Sequence, residues 1–127
     1  LDLIAVLFDE KKKYGEKVRG NIHFFAGTEA HAETFFGLGF SISFTGVITF
    51  SGDYDKLVKG APIESLLSET DCPFVSPAPF RGERNTPLNV RLVVDRMVAL
   101  RGGDARLSET LLLNAEKMFK IKLISSD

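Results

Sequence analysis

Two side chains that can bind metal follow hydrophobic segments of the chain. His23 lies in the β-prone segment 21–25, and Asp71 follows the run 63–70. In parallel α/β folds, functional residues collect where strands end and loops begin. The histidine could be a metal ligand or a general base, or a buried ring bonded to the backbone. The aspartate could be a metal ligand or a base, or its carboxylate could cap a turn.

Further polar residues extend this candidate site. Glu69 lies two residues before the aspartate and is expected on the same face. Ser43 lies near the end of another predicted strand, where its hydroxyl could bind an anion or be solvated. Arg81 and Arg84 lie in the loop that begins at Asp71, where two guanidinium groups could hold a phosphate. Ordinary loop charge, with Glu83 paired to one of these arginines, is the alternative.

The remaining cysteine and histidine are expected to stay outside the chemistry. The negative charge of Asp71 disfavours a thiolate at its neighbour Cys72, and we expect His31 at the surface. With one cysteine, the sequence can form neither an internal disulfide nor a Cys-rich zinc site. This predicts a reduced thiol and a cytoplasmic location.

The charge balance and apolar content limit the function classes. The 127 residues hold 16 Lys+Arg and 17 Asp+Glu, for a formal net charge of -1. This excludes a strongly basic protein that coats nucleic acid, although local basic patches are compatible with it. A hydrophobic fraction of 44% argues against disorder and for one globular domain or part of one. The apolar run 3–8 is too short to span a membrane, so we expect no membrane association.

Helical and strand-like patterns alternate along the chain. Strands that alternate with helices indicate βα units and a parallel sheet. Three parallel strands leave two open edges, which are pairing sites for another chain. The loop 71–87 is long, and long loops are often functional. The patterns predict helices over 1–14, 29–37, 53–59 and 108–120, a further helix from Pro87 to just before Gly102, and strands over 17–25, 39–47 and 63–70.

The first helix is expected to begin at the first residue without a capping residue. Leu1, Ile4, Ala5 and Phe8 have the spacing of one helical face. Such a start is typical of a piece of a longer chain, and removal of a short leader is the alternative.

Three segments, in this order and spacing, resemble the C-terminal part of the TatD family of metal-dependent deoxyribonucleases. They are VRGNIHFFAG (18–27), GLGFSISFTG (37–46) and LLSETDCPFVSPAPFRGERN (66–85). The typical family segments are HCFSG, GFYISFSG and LLLETDSPYLAPVPxRGKRNEP. The segment NAEKMF (114–119) also resembles the family's terminal NAxxLF helix. The specific signal is ETD-x-P followed by RG-x-RN.

The resemblance implies an α/β fold of the TIM-barrel (β/α)8 type. Residues 1–127 would be the C-terminal part of one such domain and would cover about the last three strands and the closing helices. His23 and Asp71 would bind one or two divalent ions (Mg, Mn or Zn). Asp71 would also orient or deprotonate the attacking water, and Arg84 would border the cleft for DNA or another phosphoester. The family's other ligands lie on strands that this sequence does not contain, so we expect the isolated chain to be inactive.

Four departures from the family pattern leave the pocket shape open, namely Phe24, Ala26, Cys72 and Thr86. One alternative function is another metal-dependent hydrolysis on the same barrel, with a lactone, amide or deamination substrate. Phosphate preference would separate it from a nuclease, and Arg81 and Arg84 favour phosphate. A second alternative is a non-catalytic chain that associates at its open sheet edges, with the missing half of the barrel or with another copy. The oligomeric state would identify it.

Overall fold

The computed structural model describes residues 2–122. The expected order of helices and strands is confirmed, but each strand is shorter than predicted because its flanking residues form 3-10 turns or loops. The prediction that the first helix begins at Leu1 concerns a residue outside this range. The helices are α1 (Leu3–Tyr14), α2 (Glu29–Gly37), α3 (Asp55–Gly60), α4 (Val90–Leu100) and α5 (Arg106–Phe119), and the strands are β1 (Asn21–Ile22), β2 (Ser41–Phe44) and β3 (Leu66–Ser68).

The three strands form a parallel sheet in the order β1-β2-β3. Ile42 of the central strand is in register with Ile22 on one side and Leu66 on the other. Beyond the end of β3, the Glu69 amide donates to the Phe44 carbonyl at 3.0 Å. The strand ends that precede the candidate residues therefore lie at one edge of the sheet. Within residues 2–122, β1 and β3 are each paired on one side only, as expected.

Helices α2 to α5 and the sheet share one continuous apolar core. Full burial of such a side chain contributes about 1.5–3 kcal/mol. No helix within the described residues has the length and apolarity needed to cross a bilayer. The most deeply buried apolar side chains include Ile42, Phe44, Ile48, Val58, Leu66, Val93 and Met97.

The contact face of α1 differs from the prediction. Asp2 caps this helix, because its Oδ1 accepts a hydrogen bond from the Ile4 amide at 3.0 Å. Ile4 and Leu7 pack against the core, whereas the predicted contact residue Phe8 is 49% exposed. Lys11, one turn further along the same stripe, donates to the Val18 carbonyl at 3.2 Å. The packed face of α1 is therefore rotated by about one residue from the predicted face.

The N-terminus of α2 is capped by Thr28. The Thr28 hydroxyl accepts from the His31 amide, and His31 Nδ1 accepts from the Thr28 amide, both at 3.3 Å. His31 is exposed, as expected. Its role in this reciprocal cap was not predicted, because the usual residue at that position is Glu or Gln.

Candidate metal centre

His23 follows β1 directly and bridges two carboxylates that follow β3. Its Nδ1 is hydrogen-bonded to Glu69 Oε2, and its Nε2 lies 3.2 Å from Asp71 Oδ1. The imidazole is 62% exposed, which excludes a buried structural histidine. The Asp71 carboxylate faces the ring instead of capping its own turn. The structure thus brings His23, Glu69 and Asp71 together at the carboxyl edge of the sheet.

Left-handed backbone conformations occur next to His23 and at Asp71 itself. Phe24 has φ +47° and Asp71 has φ +56°. A bulky residue such as Phe24 rarely adopts this region, which costs it about 1–3 kcal/mol and persists only where neighbouring groups hold it. The Phe24 amide donates to Glu69 Oε1. One carboxylate therefore holds both the His23 ring and the backbone that follows it.

The two carboxylates change the protonation of His23. Desolvation alone would lower the pKa of His23, but the charge and hydrogen bond of Glu69, together with those of Asp71, raise it above 6.5. Ionised carboxylates accept hydrogen bonds but cannot donate them. Both contacts of the His23 ring are therefore hydrogen bonds only when both ring nitrogens carry a proton. A metal ion at Nε2 would displace that proton.

The donor set fits a divalent cation in part. Imidazole nitrogen and carboxylate oxygen are ligands for Zn, Mn and Mg. Ligand atoms about 2.1 Å from a metal are roughly 3.0–3.4 Å apart, and the Nε2···Oδ1 distance is 3.2 Å. Glu69 is the outer partner that a ligating histidine usually has. However, residues 2–122 contain no group of three or more His, Cys, Asp or Glu side chains able to hold a metal.

The two predicted arginines differ in their availability. Arg84 is exposed and makes no hydrogen bond or ion pair with the described part of the chain. Arg81 stacks 3.7 Å from the Phe50 ring centre and donates to the Ser76 carbonyl at 3.2 Å. Neither arginine pairs with Glu83 in this part of the chain, so the expected ion pair is not formed. Arg84 is the freer of the two for an anionic ligand.

Ser43 is buried rather than open to a substrate. It is 1% exposed; its Oγ accepts from Asn21 Nδ2 at 2.7 Å and is 3.4 Å from the Ile22 carbonyl. Thr45, just after the strand, is also 1% exposed. The alternative that the Ser43 hydroxyl is solvated is therefore wrong. The physical reason is that β2 is buried on both faces. In this structure Ser43 joins β1 to β2, which corrects its prediction as a substrate contact.

One residue near the site had no predicted role. Asn85 is 3% exposed, and its Nδ2 donates to the carbonyls of Thr70 at 2.8 Å and Phe74 at 2.7 Å. These carbonyls lie on either side of Asp71 in sequence. An uncharged side chain that bonds to backbone leaves no periodic signal, so only its place in the RG-x-RN motif pointed to it.

Comparison with known proteins reveals relatives along almost the whole chain. A family model described as TatD related DNase matches residues 2–120. The uncharacterized metal-dependent hydrolase YabD of Bacillus subtilis is 34% identical over 123 residues, 94% of this chain and 47% of that protein. The uncharacterized metal-dependent hydrolase YcfH of Escherichia coli K12 is 36% identical over 103 residues, 80% of this chain and 38% of that protein. The chain spans less than half the length of these curated relatives.

Solved structures share the fold. The crystal structure of YJJV, a TatD homologue from Escherichia coli K12, matches with a TM-score of 0.83 and 29% identity, covering 94% of this chain and 46% of that one. A TatD family hydrolase from Entamoeba histolytica matches with a TM-score of 0.76 and 23% identity, covering 90% and 46%; this second likeness concerns the fold alone. The three parallel strands and their helices therefore match part of a TIM-barrel-type structure, which confirms the predicted fold class.

Proposed function

This chain belongs to the TatD-related DNase family, and from that premise we propose that it contributes to a metal-dependent hydrolase that cleaves DNA phosphodiester bonds. His23 and Asp71 would hold one or two divalent ions, Mg, Mn or Zn. When bound, such an ion polarises the phosphodiester and acidifies a water. The observation that carries the proposal is the 3.2 Å separation of His23 Nε2 and Asp71 Oδ1, with Glu69 behind the ring.

Glu69 and Asp71 have separate tasks in this proposal. Glu69 accepts a hydrogen bond from the Nδ1–H of His23, so the neutral ring directs its Nε2 lone pair to the position beside Asp71 where a metal would bind. Within residues 2–122, the second oxygen of Asp71 makes no hydrogen bond. That oxygen can orient an attacking water and accept its proton.

Arg84 supports a phosphate over a lactone or amide substrate. Its guanidinium is exposed and unpaired within the described residues, and such a group binds phosphate through two parallel hydrogen bonds. Arg81 would contribute positive charge from the same loop while it remains stacked on Phe50. The loop thus offers one free and one anchored cation to a DNA backbone.

The proposal is tested with the protein at its native length and a labelled DNA oligonucleotide in Mn²⁺ or Mg²⁺. We expect cleavage that EDTA abolishes and that Asp71→Asn lowers by at least about 100-fold. His23→Ala should cost more free energy of metal binding than free energy of unfolding. His31→Ala, at the exposed histidine of α2, should keep full activity. Unchanged cleavage by Asp71→Asn, or turnover of lactones or amides but not DNA, would contradict the proposal.

The two ligands need further donors, and we propose that these come from the rest of the barrel or from a partner at the open sheet edges. Catalytic zinc sites usually need three protein ligands, and this part of the chain brings together two. Intact mass and solution mass of the purified protein test this. A species larger than the 14.0 kDa chain, by length or by association, agrees with it; an active 14.0 kDa monomer contradicts it.

A further inference from the structure

We propose that Asn85 is a positioning residue that fixes the Asp71 carboxylate against His23. The proposal rests on the proposed metal function and deepens the same site. Asn85 contacts neither His23 nor the Asp71 carboxylate. It acts through the backbone on both sides of Asp71, and it is 3% exposed, so water does not compete for its bonds.

The side-chain amide nitrogen of Asn85 is hydrogen-bonded to both ends of the turn that contains Asp71. Nδ2 lies 2.8 Å from the Thr70 carbonyl, directly before Asp71, and 2.7 Å from the Phe74 carbonyl after it. A third, longer contact of 3.4 Å reaches the Val75 carbonyl. Both ends of the turn are therefore bonded to one side chain.

The clamped turn holds Asp71 in an unfavourable conformation. Its φ is +56°, and the Phe74 amide donates back to the Asp71 carbonyl at 3.0 Å. Aspartate adopts the left-handed region more readily than most residues but less readily than glycine, so bonds from neighbouring groups help to hold it there. The bonds from Asn85 to the flanking carbonyls supply that constraint, because release of either carbonyl allows Asp71 to rotate away from His23.

The orientation of the Asn85 side chain is itself fixed. Its Oδ1 accepts from the Thr86 amide and from Asn89 Nδ2, both at 2.9 Å. A side chain of this size that donates on one side and accepts on the other must be a neutral amide. Aspartate has nearly the same shape but would direct a carboxylate oxygen at the carbonyls of Thr70 and Phe74.

The opposite side of the loop has no room to move. A Cβ at Gly46, after β2, would lie 2.5 Å from the Val75 carbonyl. The Ala78 amide donates to Thr49 Oγ1 at 2.8 Å. The loop segment 75–78 therefore lies between residues 46–49 on one side and Asn85 on the other. A change at Asn85 is thus expected to displace the turn that contains Asp71, because the segment cannot shift toward residues 46–49.

The test compares Asn85→Asp with Asn114→Asp in the protein at its native length. Asn114 is a matched control, because its Nδ2 donates to the carbonyls of Ile63 at 2.7 Å and Leu66 at 3.0 Å, at the other end of β3. The measurements are Mn²⁺ affinity, exchange of the Phe74 amide by NMR, and the nuclear Overhauser contact between the His23 ring and Asp71. For Asn85→Asp we expect about 10- to 100-fold weaker Mn²⁺ binding, faster Phe74 exchange and a weakened contact. For Asn114→Asp we expect all three to stay near wild type.

Each outcome decides the proposal. Mn²⁺ affinity within twofold of wild type in a folded Asn85→Asp variant overturns it, and so does an equal loss in both variants. If the unsubstituted protein binds no Mn²⁺, the proposed function fails, and the His23–Asp71 contact alone then decides: its loss in Asn85→Asp supports positioning, and its persistence overturns it.

If Asn85→Asp does not fold, Asn89→Ala replaces it. Removing one bond to Oδ1 should then weaken Mn²⁺ binding several-fold, and an unchanged affinity overturns the proposal.

Discussion

The two ends of β3 are held by the same kind of bond but carry different chemistry. At the amino end, Asn114 of α5 donates to the carbonyls of Ile63 and Leu66. At the carboxyl end, Asn85 donates to those of Thr70 and Phe74. The first amide attaches α5 to the start of β3 and to the turn before it. The second holds a turn whose Asp71 is in a left-handed conformation.

The difference separates stability from function along a single short strand. Leu66, at the amino end, is fully buried against the helices. The carboxyl end carries the partly exposed carboxylates of Glu69 and Asp71, each of which contacts the ring of His23. We therefore expect substitutions at the amino end to change the free energy of unfolding and those at the carboxyl end to change metal affinity.

The largest expected effect is a loss of stability from Leu66→Ala. This side chain is 0% exposed, and its truncation should lower the free energy of unfolding by about 2–5 kcal/mol. Urea denaturation measures this. Leu88→Ala is the control, because Leu88 is 85% exposed and should change stability by no more than about 0.5 kcal/mol. A large loss of Mn²⁺ affinity in folded Leu66→Ala protein would break the separation between the two ends.

The second effect is a loss of metal affinity from Glu69→Gln. Without the carboxylate, His23 Nδ1 loses its charged acceptor, and Mn²⁺ binding should weaken by about 10- to 100-fold. That corresponds to about 1.4–2.7 kcal/mol of binding free energy. Calorimetric titration with Mn²⁺ checks it. Glu64→Gln, at an exposed glutamate before β3, should leave the affinity unchanged, and equal losses in the two variants would argue against an orienting role for Glu69.

The positions of His23 and Asp71 could be predicted because strand order fixes them. Two hydrophobic strands in a parallel sheet must end at the same edge, so polar residues that follow them meet there. The role of Asn85 could not be predicted, since its partners are backbone carbonyls. The contact face of α1 was misplaced because the periodicity of Ile4, Ala5 and Phe8 fits more than one rotation of the helix.

The burial of Ser43 was missed for a different reason. Alternation of polar and apolar residues in β2 favours one solvated face, yet both faces of this strand are buried. The hydroxyl of Ser43 is satisfied by Asn21 of the neighbouring strand. Pairing of polar side chains across parallel strands depends on register, which a single sequence does not specify.

A smaller effect is the pH dependence of the metal-free protein. The pKa of His23 is raised in the folded state, mainly by Glu69 against an opposing desolvation effect. Its stabilising contribution is therefore fully present below about pH 6.5, the ordinary value, and is lost as the pH rises through the folded value. Urea denaturation between pH 5.5 and 8.5 should show this decline, and His23→Gln should lack it. An equal decline in His23→Gln would assign the pH dependence to other groups.

The smallest effect is expected at the start of α5, the helix that carries Asn114. Hydrogen bonds from the side chain and backbone of Arg106 lower the pKa of Asp104 to about 2. The stabilising contribution of this carboxylate is present above its ordinary pKa of 3.8 and is lost as the pH falls toward 2. Asp104→Asn should remove the acid-dependent step in a carbon-detected NMR titration and fray the first turn of α5, with no change in Mn²⁺ affinity. Because the pair is fully exposed, its net contribution is small. A change in Mn²⁺ affinity would mean that the start of α5 is coupled to the carboxyl end of β3, and the two ends of the strand would no longer be independent.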